Sequence, residues 1–339
     1  MKPVRCLFGT VLIVFQAVLS SASGNEEEPD MELSDVKMIW DKAPHNAFTD
    51  LVRFRDHWYC AFREGHGHVS DDGQLRVIRS KDGENWSSVA GMTWNRGDVR
   101  DAKLSVTPGN QLMLSGAVRL LDTGKDYTVQ SHQSVTWLSR DGENWSEPVA
   151  CPSGRDTWRW SVTWHKGTAY SMGYSGKDPQ GCLYCSKDGK SWDVVKPEVY
   201  PDVESYGNET SLVFLEDDTA YCLLRRDQAG GSAMLSKARP PYTEWAWHDL
   251  GVRVGGPKMI SVDGDCFLAG VRLYDGEQRT SLCWVDPEKS RITEALTLPS
   301  GGDTSYAGLV MDEGLVWVSY YSSHESKSMI YLAKVDLEG

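Results

Sequence analysis

Apolar and polar residues alternate in short runs along most of the chain, and the runs come in pairs separated by a few turn-forming residues. A two-residue period marks strands with one buried face, and paired runs mark hairpins. Six pairs are evident: 48–54 with 58–62, 103–106 with 112–118, 161–164 with 168–172, 211–215 with 219–224, 258–262 with 266–271, and 308–311 with 315–320. No segment sustains a helical period. The units repeat every fifty residues or so, a spacing typical of repeated supersecondary blocks. Each has room for four short strands, so the chain is predicted to be all-β, a six-bladed β-propeller over 37–339.

A repeated turn supports this division. Ser80-Lys81-Asp82-Gly83-Glu84-Asn85-Trp86 recurs as Ser139-Arg140-Asp141-Gly142-Glu143-Asn144-Trp145 and as Ser186-Lys187-Asp188-Gly189-Lys190-Ser191-Trp192. The aspartate accepts hydrogen bonds from backbone N–H groups two residues on, glycine supplies a positive φ, and the tryptophan buries a large ring beside the turn. Residues 236–245 hold a degenerate copy lengthened by Arg239-Pro240-Pro241.

These seven-residue turns are Asp-boxes, and through them the chain resembles the sialidase (neuraminidase) superfamily. The resemblance implies that the boxes close outer hairpins on the rim of the propeller and carry none of the chemistry.

The first residues read as an export signal. Lys2 and Arg5 precede the apolar run 7–19, and small residues at 20–24 offer a cleavage site. The run is short for a membrane span, which needs about twenty residues. The expectations are a signal peptide over 1–24, a solvated leader over 25–36, and a secreted or periplasmic protein without membrane insertion. The net charge of −13 disfavours nucleic-acid partners, which need a basic face. Four of the eight cysteines, Cys60, Cys222, Cys266 and Cys283, sit in strand-like runs as small hydrophobes. Cys182 and Cys185 lie three apart on a strand and so point to opposite faces, a poor arrangement for a metal or redox pair.

In a propeller, residues before the first strand and after the second strand of every hairpin converge on one mouth of the central channel. Those positions hold Arg63, Arg100, Asp101, Trp158, Glu209, Arg225, Arg272 and Tyr306, with several further aromatics and acids. Arginines among aromatics suit a pocket for an anionic sugar.

The resemblance implies roles for some of them. Tyr306 would be the nucleophile and Glu209 its base, because a neutral phenol attacks an anomeric carbon bearing a carboxylate without charge repulsion. Arg225 and Arg272 would bind that carboxylate. The stretch equivalent to the family's opening Arg-Ile-Pro motif is His45-Asn46-Ala47-Phe48-Thr49-Asp50-Leu51, which has no arginine, so the third arginine is missing, and Arg63 or Arg100 is the candidate substitute. The acid/base aspartate is expected on the loop 64–73, at Asp71 in preference to Asp72, with Asp50 and Asp101 as alternatives. Asp101 and Trp158 are otherwise expected to contact substrate. His66 and His68 are read as polar loop residues, with no metal and no cofactor. Asn208-Glu209-Thr210 matches a glycosylation sequon that an active site here would leave unused. The predicted activity is an exo-glycoside hydrolase removing a terminal acidic sugar from a glycan or glycoconjugate. The alternatives are a propeller enzyme acting on a uronic or neutral sugar, and a non-catalytic glycan-binding propeller.

Overall fold

A computed structural model of the chain describes residues 31–337 except 96, 122–128, 176–177 and 229. The proposed signal peptide and most of the predicted leader lie outside the described residues.

Six antiparallel sheets surround a central axis, and among the described residues all the regular structure is strand apart from one short 3-10 turn at Pro152–Gly154. The inner strands of blades 1 to 6 are His45–Phe54, Gly97–Val106, Thr163–His165, Gly207–Phe214, Val254–Asp263 and Thr304–Asp312. In blade 3 the inner edge is split, and the two-residue strand Trp158–Arg159 precedes the main one. Blade 2 has three strands, and single bridges such as Thr136 to Val149 replace its fourth.

The predicted leader is corrected at its C-terminal end. Glu32–Trp40 is a strand that pairs antiparallel with Met329–Asp336 and forms the outer edge of blade 6. Its side chains are only half buried and many are charged, so the segment lacks the apolar alternation of a core strand. The sixth blade is therefore built from both ends of the described chain.

The repeated turns do what their composition dictates. In the first, the Asp82 carboxylate accepts N–H bonds from Glu84 and Asn85 at 2.9 Å, and the Ser80 hydroxyl accepts one from Gly83. The Gly83, Gly142 and Gly189 φ angles are 76°, 79° and 72°. Each of these glycines also abuts the preceding blade: a Cβ there would meet Trp317, Tyr59 or Met113 at 2.4, 2.2 and 2.6 Å. The turns thus wedge blade against blade as well as closing hairpins.

What positions the mouth is a bulge in the inner strands. Two residues oppose one between Ala47 and Asp50, Arg100 and Lys103, Gly207 and Thr210, Gly255 and Lys258, and Ser305 and Gly308. Bulges re-aim side chains, and they cluster beside active sites. Phe48, Asp101, Gly256 and Tyr306 occupy matching bulge positions with φ of 61°, 55°, 56° and 52°. For residues as bulky as Phe and Tyr this left-handed conformation is uncommon and strained.

Candidate active site

Tyr306 is the hub of the mouth. Its hydroxyl donates to Glu209 Oε1 at 2.6 Å and accepts from Arg225 Nη1 at 2.9 Å. The same Arg225 nitrogen reaches Glu209 Oε1 at 2.8 Å, closing a triangle of three groups. Glu209 Oε2 accepts the Gly256 backbone N–H at 2.8 Å. Gly256 has no substitute here, because a Cβ would lie 2.7 Å from the Tyr306 ring. Phe48 meets that ring edge-on at 5.0 Å between centroids, and Trp160 lies 6.0 Å away.

The electrostatics follow from this packing. Burial and the neighbouring Glu209 charge hold the Tyr306 phenol well above its ordinary pKa, so it is neutral. Burial alone would raise Glu209, but the Arg225 charge and the hydrogen bonds from Arg225, Tyr306 and Gly256 outweigh it, and the carboxyl titrates below its usual range. An ionised carboxylate therefore faces a neutral phenol, the protonation state a nucleophile and its base require.

Two arginines frame the hub. Arg225 is fixed from behind by Asp227, 2.9 Å from Nε. Arg272 donates to the Tyr321 hydroxyl at 2.8 Å and the Thr304 carbonyl at 2.7 Å, and its guanidinium lies 5.4 Å from the Tyr306 ring centroid. Arg226 turns away to Ser232 and Asp249, as expected for the neighbour that alternates with Arg225.

Arg63 is placed differently from the expectation of a substrate contact. It is fully buried, with Nε on Asp98 at 2.7 Å and its other nitrogens on the Gly67 carbonyl and the Ser70 hydroxyl. Gly65 and Gly73 bracket it so closely that a Cβ on either would strike the guanidinium. Arg63 shapes the loop 64–73 from inside. Arg100 shares Asp98 at 3.1 Å, also binds the His68 carbonyl at 2.8 Å, and lies over Phe48 at the mouth.

Asp71 is exposed on that loop and its carboxylate accepts no hydrogen bond among the described residues, whereas Asp72 caps the His66 N–H. The loop reaches the hub through His68, whose ring meets Phe48 at 5.1 Å and whose Nδ1 lies 2.6 Å from Asp303 Oδ2. Trp158 stands beside His132 at 4.9 Å and nearly parallel to Tyr174, an aromatic wall on the blade 3 side.

Asp101, buried at 6% exposure, is set apart from the other acids. Burial, reinforced by the Glu209 charge and opposed by Arg100, pushes its carboxyl up to about 6. Below the mouth, Asp50 pairs with Lys258 at 3.2 Å and accepts the Leu104 N–H, while Lys103 reaches the Thr49 carbonyl.

His45 Nε2, His68 Nδ1 and Asp303 Oδ2 lie within 4.8 Å of one another, the one group among the described residues with the spacing of metal ligands. Asp303 also accepts from Tyr321 and Arg272, and the His45 Nδ1 is buried without a partner. An Nε2–H tautomer donating to Asp303 leaves only a bare lone pair at Nδ1, whereas a metal on Nε2 would strand a buried N–H there. The arrangement is a hydrogen-bonded latch from blade 1 to blade 6. No disulfide joins the described cysteines.

Sequence reasoning passed over Gly256, Asp227 and Asp98. The Gly255-Gly256-Pro257 run ahead of an inner strand was the available signal for the first. Asn208 is buried, with its amide on Asp227 at 2.8 Å, so the sequon side chain is inaccessible.

No protein-family model and no curated protein matches the chain. Solved structures do. A protein of unknown function from Dyadobacter fermentans is 17% identical with a TM-score of 0.78, covering 91% of this chain and 100% of that one. The Hadza microbial sialidase Hz136 is 18% identical with a TM-score of 0.69, over 88% of this chain and 68% of its own. An α-L-arabinanase from Penicillium chrysogenum, solved with arabinobiose, is 14% identical with a TM-score of 0.66, over 90% and 98%. The chain is a six-bladed β-propeller of the architecture shared by these sialidase and arabinanase structures.

Proposed function

We propose that the protein is an exported exo-glycoside hydrolase that removes a terminal acidic sugar, sialic acid or a close relative, from a glycoconjugate. The observation that carries this reading is the Tyr306 hydroxyl at 2.6 Å from Glu209, with Arg225 bridging both. In the first step the phenolic oxygen attacks the anomeric carbon while its proton passes to Glu209, and the bond to the departing group breaks with its electron pair going to the departing oxygen, which takes a proton from solvent. In the second, water attacks the same carbon and gives up one proton to solvent, the tyrosyl–carbon bond breaks, and Glu209 returns its proton to the tyrosyl oxygen. Arg225 stabilises charge developing on the tyrosyl oxygen, and Arg272 offers a guanidinium to the sugar carboxylate. Likeness of fold to sialidases supports the reading without specifying the substrate.

A second reading, hydrolysis of a uronic or neutral sugar, is favoured by one observation. The arginines at the mouth are already paired: Arg225 with Glu209 and Asp227, Arg272 with Asp303, and Arg100 with Asp98. The test is turnover of aryl sialosides, aryl uronides and neutral aryl glycosides by the purified protein and by Tyr306→Phe. Turnover of the sialoside that falls by orders of magnitude in the variant, with binding retained, is the expected result. Binding of glycans without turnover of any of them would make the protein a lectin.

A further inference from the structure

Arg159 is buried at 5% exposure yet meets no carboxylate among the described residues, whereas Arg63, Arg100, Arg119, Arg225 and Arg272 all do. Its guanidinium lies over the Trp192 and Tyr184 rings, 4.9 and 5.6 Å from their centroids. Ring faces attract a cation but carry no net charge to balance it. Nη1 is buried with no hydrogen-bond partner among the described residues, and Nη2 donates to the sulfur of Cys151 at 3.5 Å. A buried charge without a counter-charge is costly, so the guanidinium favours any neighbour that can become an anion. The Tyr184 hydroxyl is one candidate, but burial pushes it up to about 12. The Cys151 thiol is the other.

Cys151 leads into the short turn Pro152–Gly154, between blades 2 and 3. It is partly exposed, while Cys60, Cys182, Cys222 and Cys283 are buried. The Ser153 hydroxyl lies 3.3 Å from its sulfur and 3.0 Å from the Trp192 carbonyl, with one proton to give. Beside a thiol it serves the carbonyl and accepts the S–H; beside a thiolate it can turn that proton onto sulfur. Burial opposes ionisation of Cys151, but the Ser153 hydroxyl, the Arg159 charge and hydrogen bond, and the Gly154 N–H outweigh it, and the thiol titrates below its ordinary range. Burial instead raises Cys185, which is also partly exposed.

We propose that Cys151 is a modification site, a reactive thiolate paired with the buried Arg159 guanidinium, which takes up low-molecular-weight disulfides and small soft electrophiles. The thiolate, not the thiol, is the attacking species. With a disulfide, the Cys151 sulfur bonds to one sulfur of the reagent, the reagent's S–S bond breaks, and the electron pair leaves on its second sulfur as a thiolate. Cys151 is thereby oxidised to a mixed disulfide and the reagent is reduced, with no other oxidant required. With iodoacetamide the same sulfur bonds to the methylene carbon, and iodide leaves with the pair of the broken carbon–iodine bond.

The test treats the full chain with a small amount of iodoacetamide at about pH 6.5 and about pH 8.5, and reads the labelling of each cysteine by peptide mass spectrometry. At the lower pH, Cys151 should react at least about threefold faster than the exposed Cys266, and the advantage should shrink at the higher pH as ordinary thiols ionise. An aromatic disulfide, dithiobis(nitrobenzoate), should release its coloured thiolate from the wild type in a fast phase that Cys151→Ser lacks. Arg159→Gln should slow labelling of Cys151 at the lower pH by at least about threefold and leave Cys266 unchanged. Near-ultraviolet circular dichroism checks that this variant folds. Ser153→Ala, which leaves the buried charge in place, should slow Cys151 as well and decides the matter if Arg159→Gln does not fold. Labelling of Cys151 no faster than Cys266 at the lower pH, a fast phase that persists in Cys151→Ser, or an unchanged Cys151 rate in a folded variant overturns the assignment.

Discussion

Asp101→Asn should make the folded protein more stable at neutral pH. The carboxyl is raised from an ordinary 3.8 to about 6 by burial, so the folded protein holds that proton more tightly than the unfolded chain does. For a carboxyl raised in this way, folding stability is fully present below pH 4 and is lost as pH rises through 6. At about 1.4 kcal/mol per pKa unit, the ionised carboxylate destabilises the fold by about 3 kcal/mol above pH 6. Asparagine mimics the neutral form at every pH. The variant should match wild type at pH 4 and exceed it by up to about 3 kcal/mol at pH 8, or about 4 °C in Tm for a chain of 339 residues. Urea unfolding of both proteins from pH 4 to 8 measures the difference directly. A variant equally stable or less stable than wild type at pH 8, or a difference that does not change between pH 4 and 8, would refute the claim that this carboxylate is held ionised against its environment.

Four other outcomes are expected. Gly256→Ala places a Cβ 2.7 Å from the Tyr306 ring at a φ of 56°, and should lose most activity along with about 1–3 kcal/mol of stability, read by turnover and denaturant melts. Arg272→Ala should raise KM for acidic sugars more than for neutral ones, because a charged two-pronged contact is lost, and an equal change in both would argue against a carboxylate subsite. Asn46→Ala removes a buried amide that serves Ala43 and Ser328, and should cost about 2–4 kcal/mol in a urea melt. Asp141→Ala strips the second repeated turn of its acceptor for Glu143 and Asn144, so it should lower Tm and leave kcat alone.

The hairpin register was legible because a strand period of two is written directly in the side chains, and it carried Glu209, Arg225 and Tyr306 to one mouth. It did not separate Arg63 from Arg272, which both end second strands. The difference is that Arg63 meets Asp98 of the neighbouring blade and the Gly67 carbonyl of the loop that follows it, a matter of burial that spacing does not encode. Nor did alternation show how Asp101 is aimed. On a regular strand Asp101 and Lys103 share a face, but the bulge between Arg100 and Lys103 inserts a residue and breaks that rule. The strand Glu32–Trp40 was hidden for the opposite reason, since an outer edge needs little apolar surface to pair.

That strand has a kinetic corollary. Glu32 pairs with Asp336, so the ring closes through partners at opposite ends of the described chain, the most non-local contact available to it. Such contacts form late, because the entropy of bringing distant segments together must be overcome before the pairing rewards it. The blade that closes last is also the one that carries Tyr306, whose neighbours in blades 4 and 5 are in place only when the circle is complete. A growing chain with five finished blades would thus hold Glu209 and Arg225 without their partner. Competence to react would arrive in one step, with closure, and no partly assembled form would have it.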